Sequence, residues 1–185
     1  MIKPLPESVL ISESCLQDRI RELGTQISTD YENQELVLLG VLRGSVLFFA
    51  DLARAIFNAQ LTGSGREVQV RFEFVQLTSY HNSTKPSRVQ LIRGGSDYLE
   101  QRQVLIVEDI VDTGHTLKFL CEHLRTLNPK TVKVCTLLDK PSQRQVSVAI
   151  DYIGFEIPDA FVVGYGLDYA QQYRNLPYIA LLEET

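Results

Sequence analysis

Three carboxylates crowd into five residues, Glu108, Asp109 and Asp112, and Thr113-Gly114-His115-Thr116 follows directly. The string succeeds a short apolar run, Val104 to Val107. It precedes an apolar spacing at Leu117, Leu120, Cys121, Leu124 and Leu127 that predicts a helix over 116–127, stopped by Pro129. A helix start carries unpaired backbone N–H groups and a partial positive charge, so it binds phosphate. Thr113 and Thr116 add hydroxyl donors, and Gly114 lets the backbone come close to a ligand. Carboxylates repel an anion, so the acids upstream suit sugar hydroxyls, a metal ion or a protonatable nitrogen. One loop therefore points to a ligand with phosphate at one end and a polyol in its middle. The plainer alternative has Asp112 N-capping the helix, with Glu108 and Asp109 as solvated charges.

The elements that must position this loop read as alternating helices and strands. Leu16, Ile20, Leu23 and Ile27 predict a helix over 14–26, with Gly24 near its end. Leu36 to Leu42 is a continuous apolar run, as in a strand buried on both faces. A helix over 45–58, an alternating strand over 68–76, and short strands at 104–107, 132–138, 149–154 and 161–165 complete the pattern. Residues 79–95 are polar, with Pro86 and Gly94-Gly95, and read as a long surface loop or an irregular hairpin. Thr62-Gly63-Ser64-Gly65 leaves the strand boundaries around it open. The alternation predicts an α/β fold with a mostly parallel twisted sheet flanked by helices. Ligands of such sheets sit beyond the carboxyl ends of the strands, which directs the search to the loops after Leu42, Val107, Leu138 and Val163.

Composition bounds the partners. The 185 residues carry 18 Lys and Arg against 23 Asp and Glu, a net charge of −5, which disfavours nucleic-acid binding by bulk charge. Apolar residues at 44% and charged residues at 22% describe one ordinary globular domain. Cys15, Cys121 and Cys135 are scattered, with no CxxC pair, so neither a secreted disulfide framework nor a cysteine-built zinc site is expected. The start lacks a signal-peptide pattern. The most apolar stretch, 36–57, is broken by Arg43, Asp51 and Arg54, so no membrane span is expected. The expected compartment is the cytoplasm.

The string 104–116 resembles the phosphoribosyl-pyrophosphate motif of the type I phosphoribosyltransferases: four apolar residues, two acids, then Asp-Thr-Gly-x-Thr. Other segments resemble the 6-oxopurine branch of that family: Leu42-Arg43-Gly44-Ser45, Ser79-Tyr80, Leu137-Leu138-Asp139-Lys140, and Phe161 to Tyr169 with Arg174 beyond. The likeness covers about residues 36–180 and is weak before them. It implies the type I phosphoribosyltransferase fold: a single domain over 1–185, with a core of about 36–155 and a small hood from 1–15 and 156–185. The implied reaction displaces pyrophosphate from C1 of phosphoribosyl pyrophosphate by purine N9, through an oxocarbenium-like transition state.

The resemblance also distributes roles. Asp112 would face purine N7 as general acid/base, and a closed, dry site can raise a carboxyl pKa for that task. Glu108 and Asp109 would hold the ribose hydroxyls, sharing a proton or a nearby cation. Asp112, Thr113, Gly114 and Thr116 would hold the phosphoribosyl group. Arg43, Gly44 and Arg174 would hold pyrophosphate, with a cis peptide between Leu42 and Arg43. As a mere surface cation, Arg43 would oppose the dipole of the helix that follows it. Lys140 would donate to a 6-oxo group and meet a 6-amino group donor to donor, which favours hypoxanthine and guanine over adenine. Phe161 would stack on the base. The Val162 backbone would meet the base edge and, with the region of Asp168, set selectivity at the 2-position.

Mg²⁺ is the implied cofactor, with Asp168, Glu108 and Asp109 as its carboxylates. Ser79 and Tyr80 would tip a lid that excludes water, with Lys85 and Arg88 raising the local potential. His115 stands where relatives carry Lys or Asn and receives no role. The implied partners are small-molecule substrates only, in a homodimer or homotetramer, with no nucleic acid and no membrane. Three alternatives stand beside this reading. A nucleotide-sensing RNA-binding regulator of the same fold would want a basic face. A xanthine-preferring enzyme differs only in backbone geometry. A dinucleotide oxidoreductase would need a GxGxxG after a strand, which is missing.

Overall fold

The structure is a computed structural model that describes residues 6, 8–62, 67–80, 88–93 and 97–182, with the side chains of 62, 78–80, 88–93 and 97 excepted. Gly63 to Gly65, where the strand boundaries were left open, Lys85 and the Gly94–Gly95 pair lie outside the described residues.

Two sheets organise the chain. The larger has the order β4-β3-β2-β5-β6-β7, built from β2 (Glu35–Leu42), β3 (Gln69–Tyr80), β4 (Arg88–Arg93), β5 (Gln103–Val111), β6 (Thr131–Asp139) and β7 (Tyr152–Glu156). Five of these strands run parallel, and β4 pairs antiparallel with β3 at the edge. The polar segment after residue 79 thus resolves, where described, as the returning arm of a hairpin, with Ser79 opposite Val89 and Tyr80 opposite Arg88. The smaller sheet joins β1 (Ser8–Ile11), β9 (Ile179–Leu181) and β8 (Val162–Val163) in antiparallel pairing. The strand expected at 161–165 therefore shrinks to two residues and belongs to this second sheet.

Helices cover both faces because the central strands are apolar on both. On β2, Leu36 and Leu38 face α1 (Glu13–Asp30) and α2 (Val46–Thr62), while Val37, Leu39 and Val41 face α3 (His115–Arg125). On β5, Leu105 and Val107 take the first side, Val104 and Ile106 the second. Such runs suit a parallel strand covered by helices, and each fully buried Leu contributes about 1.5–3 kcal/mol. The first helix does not end near Gly24 but continues to Asp30. Gly24 is the point where α1 meets α2, since a Cβ there would lie 2.5 Å from the Cβ of Ala55.

Two shifts matter for function. β5 runs past Val107 to Val111, so Glu108 and Asp109 belong to the strand rather than to the loop after it. Pairing with β6 carries it there, with Glu108 opposite Thr136 and Val111 opposite Asp139. The strand expected at 149–154 lies instead at 152–156, in parallel register with Cys135 to Asp139. β2 leads to β3 on one side of the sheet, and β5 pairs with β2 on the other. This is the switch point at which doubly wound sheets open a crevice.

Candidate active site

The crevice opens between the ends of β2 and β5. One cleft, of about 270 Å³, is lined by residues that include Arg43, Gly44, Glu108, Asp109, Asp168 and Arg174. A second, of about 200 Å³, runs along 108–114 to Thr116 and Leu117. Glu108, Asp109 and Thr116 line both. Acids thus stand at the junction, with a loop that has just turned from strand to helix on either side.

The first loop follows β2. The Leu42–Arg43 peptide is cis, as the resemblance implied. Ser45 is buried and donates to the Val41 carbonyl at 2.6 Å, tying the turn back onto the strand. Arg43 is exposed, and its guanidinium reaches Gln171 Oε1 at 3.4 Å. Gly44 leaves no room for a side chain, because Asp109 lies against its Cα.

The second loop follows β5. Gly114 occupies the N-cap of α3 at φ 88°, a left-handed conformation that suits glycine, with no side-chain cap. Asp112 therefore does not cap the helix; it is exposed in the second cleft, free to face a ligand. Thr113 and the N-cap Gly114 lead into the first turn of α3, which begins at His115 and includes Thr116, and the backbone N–H groups at such a helix start have no intrahelical partners, as a phosphate site requires. His115 is exposed, and its Nε2 lies 3.2 Å from Gln145 Oε1.

Glu108 and Asp109 are the electrostatic centre. Burial raises the Glu108 carboxyl well above the usual carboxylate range, and the neighbouring Asp109 charge raises it further. Burial also raises Asp109, although hydrogen bonding to Glu108 and the backbone N–H of Ile110 partly offsets the rise. Glu108 Oε2 is buried without a hydrogen-bond partner. A buried acid pair of this kind holds a proton or wants a cation.

The remaining expected residues arrive from β6 and from 161–174. Lys140 directly follows β6 and is buried, with Nζ 3.8 Å from Asp159. Phe161 is 46% exposed and meets Tyr169 edge-on at 5.7 Å, so it is not a core residue. Val162 is buried in β8. Asp168 accepts from the Gln171 N–H at 2.8 Å and pairs with Arg174 at 2.6 Å, and Arg174 also donates to the Gly166 carbonyl at 2.7 Å. Arg174 thus stands in the first cleft already tied to Asp168. Gly166 packs on the first loop, since a Cβ there would meet the Gly44 carbonyl at 1.9 Å. Ser79 and Tyr80 lie on β3 at the same end of the sheet; their side chains lie outside the described residues. No group of three or more His, Cys, Asp and Glu among the described residues forms a metal cage.

One feature was missed by sequence reasoning. Arg144 bridges the Asp112 carbonyl, at 2.6 Å, and the buried carboxylate of Asp139. A lone arginine in a polar stretch carries no periodicity, so only the fold reveals it.

Two strand-to-helix turns on either side of an acid pair, at the switch point of a parallel sheet, form the arrangement expected of a phosphoribosyl transferase domain. The family model of that description matches residues 12–170, and the chain belongs to that family. It is 44% identical over 184 residues to the hypoxanthine-guanine phosphoribosyltransferase of Bacillus subtilis, covering 99% of this chain and 97% of that one. It is 46% identical over 184 residues to the hypoxanthine phosphoribosyltransferase of Escherichia coli K12, covering 95% and 97%. The crystal structure of a hypoxanthine-guanine phosphoribosyltransferase from Bacillus anthracis matches with a TM-score of 0.86 at 42% identity, covering 97% of this chain and 100% of that one.

Proposed function

We propose that this chain is a purine-salvage pentosyltransferase that moves the 5-phosphoribosyl group from phosphoribosyl pyrophosphate to N9 of hypoxanthine or guanine, giving IMP or GMP and pyrophosphate. The observation that carries this reading is the shared acid pair, which lines both clefts with an anion loop on either side. A sugar with phosphate at one end and pyrophosphate at the other fits that order. Thr113, Gly114 and Thr116 hold the 5-phosphate, and Glu108 and Asp109 hold the ribose hydroxyls. Arg43, the Gly44 backbone and Arg174 meet the pyrophosphate, where negative charge develops as the bond to C1 breaks. Asp112 takes the base's N7 as hydrogen-bond partner and proton acceptor or donor. Lys140 donates to the 6-oxo group. Phe161 stacks on the ring, and Val162 and Asp168 border its edge. Ser79 and Tyr80 close over the site and exclude water.

Mg²⁺ fits the same place. Glu108 and the adjoining Asp109 supply hard oxygen donors at the cleft that Asp168 also lines, and Glu108 Oε2 is buried without a hydrogen-bond partner. One or two of these carboxylates, with the remaining ligands left to phosphates and waters, suit this ion better than a closed protein cage. When bound it neutralises pyrophosphate charge.

The chain reads as one domain over 1–185, a core of about 36–155 under a hood from the terminal segments. Exposed Phe57, Leu61 and Phe72 support assembly as a homodimer or homotetramer. A cytoplasmic location accords with three free cysteines, and no described helix is long and apolar enough to cross a membrane. The test is turnover of adenine, guanine, hypoxanthine and xanthine with phosphoribosyl pyrophosphate and Mg²⁺. Hypoxanthine and guanine should turn over, and the reading falls if neither does; xanthine as the best substrate would move it to the neighbouring specificity.

A further inference from the structure

A phosphate loop works only if its N–H groups face the anion, and that requires its carbonyls to face away. The peptide plane links these demands, because in a trans peptide the C=O of one residue and the N–H of the next point in opposite directions. Holding the Asp112 carbonyl on one side therefore aims the Thr113 N–H to the other. Holding the Thr113 carbonyl aims the Gly114 N–H in the same way.

Both carbonyls are held by one short segment. Arg144 donates from its guanidinium to the Asp112 carbonyl at 2.6 Å. The backbone N–H groups of Gln145 and Val146 donate to the Thr113 carbonyl at 3.0 and 3.3 Å. Arg144 is itself anchored, since its other terminal nitrogen pairs with Asp139, whose side chain is 7% exposed. Its aliphatic stem lies over Gly114, where a Cβ would come within 3.0 Å of Cδ. Asp139 is the last residue of β6, and Lys140 follows it; the Lys140 N–H donates to the Val111 carbonyl at 2.9 Å. The arginine thus spans the end of the strand that carries the base-reading lysine and the loop proposed to carry the sugar phosphate.

We propose that Arg144 is a positioning residue for the phosphoribosyl site, acting through the Asp112 carbonyl to aim the loop's N–H groups and through Asp139 to fix that loop relative to Lys140. Its role is geometric. Asp139 neutralises its charge, so it adds little net field at the phosphate, and its planar fork serves two acceptors at once. The proposal rests on the assignment of the 5-phosphate to Thr113, Gly114 and Thr116.

The experiment measures KM for phosphoribosyl pyrophosphate, KM for hypoxanthine and kcat in Arg144→Met and Arg144→Lys, with ribose 5-phosphate as a competitive probe of the phosphate site alone. Loss of a charge-assisted hydrogen bond should weaken ribose 5-phosphate and raise KM for phosphoribosyl pyrophosphate by about 10- to 100-fold, with KM for hypoxanthine changed less than about threefold. Lysine keeps the charge but not the fork, so Arg144→Lys should recover little of the loss. Full recovery with lysine overturns the geometric role in favour of a purely electrostatic one. Unchanged ribose 5-phosphate affinity in a folded Arg144→Met protein overturns the proposal, as does an equal rise in both KM values. Should Arg144→Met fail to fold, Asp139→Asn removes the anchor from the other side and is held to the same criteria. Thr116→Val is the control for the underlying assignment. If it leaves ribose 5-phosphate binding intact, the phosphate site itself is misplaced; if it weakens binding while the Arg144 variants do not, only the positioning role fails.

Discussion

Gly44 and Asp109 touch. A Cβ on Gly44 would lie 1.5 Å from Asp109 Oδ2 and 2.6 Å from its Cγ. The turn after β2 and the acid at the end of β5 are therefore set against each other by the lack of a side chain, and the two loops of the site share one wall. Gly44→Ala must push the carboxylate aside or open the crevice. It should lower kcat/KM by about 100-fold or more, as small misplacements of reacting groups do, and cost about 1–3 kcal/mol of stability through overpacking. Steady-state kinetics and a thermal melt of the same preparation check both. Parent-like kinetics would show that the contact does not set the geometry of the site.

Glu108 exchanges stability for function. Its folded-state pKa is raised by burial and by Asp109, so the folded protein holds that proton more tightly than the unfolded chain. Stability from this group is present below the unfolded carboxyl pKa and is lost as pH rises toward the folded value. Glu108→Gln keeps the shape without the charge. It should raise stability by about 0.5–2 kcal/mol at pH 8, add less at pH 5, and impair turnover. Melts at the two pH values decide it; an equal gain at both would mean that the buried charge is not the cause.

Asp112 is exposed in the second cleft and is not the cap of α3. Its removal therefore leaves the helix start in place. Asp112→Ala should lower kcat by about 100- to 10,000-fold, the range of a lost general acid/base, while KM for phosphoribosyl pyrophosphate changes by less than about fivefold. A large KM change with kcat preserved would reassign Asp112 to the sugar.

The central strands were legible because Leu36 to Leu42 and Val104 to Val107 are short continuous apolar runs between helical patterns, as strands covered on both faces are. The turn into α3 was legible as a candidate phosphate site because Asp112-Thr113-Gly114-His115-Thr116 has the residue types that such chemistry asks for, and the structure does place it between β5 and α3. The strand character of Glu108 and Asp109 was not, since charge masks a strand and only pairing with β6 extends it. Gly24 read as a helix end because a lone glycine signals a stop and a close helix contact alike. The Asp168–Arg174 pair was hidden for another reason. It is closed by left-handed backbone at Ala170, Gln171 and Tyr173, residue types that do not announce such turns.

Lys140 tests how the base is read. It is buried, it follows β6, and the carboxylate nearest its Nζ, Asp159 at 3.8 Å, is itself 61% exposed. An ammonium has three donors and no acceptor, so it gains a bond from a 6-oxo group and none from a 6-amino group. Each unmatched buried donor costs about 1–3 kcal/mol, which corresponds to about 5- to 150-fold in selectivity. Lys140→Met keeps an unbranched chain as far as the Cε position and deletes the donors. The ratio of kcat/KM for hypoxanthine to that for adenine should fall by about that factor, mostly through loss of hypoxanthine activity. Competition between the two bases for a limiting supply of phosphoribosyl pyrophosphate measures the ratio directly. If the variant still selects hypoxanthine as strongly as the parent, the selection lies in the backbone around Val162 and not in this cation.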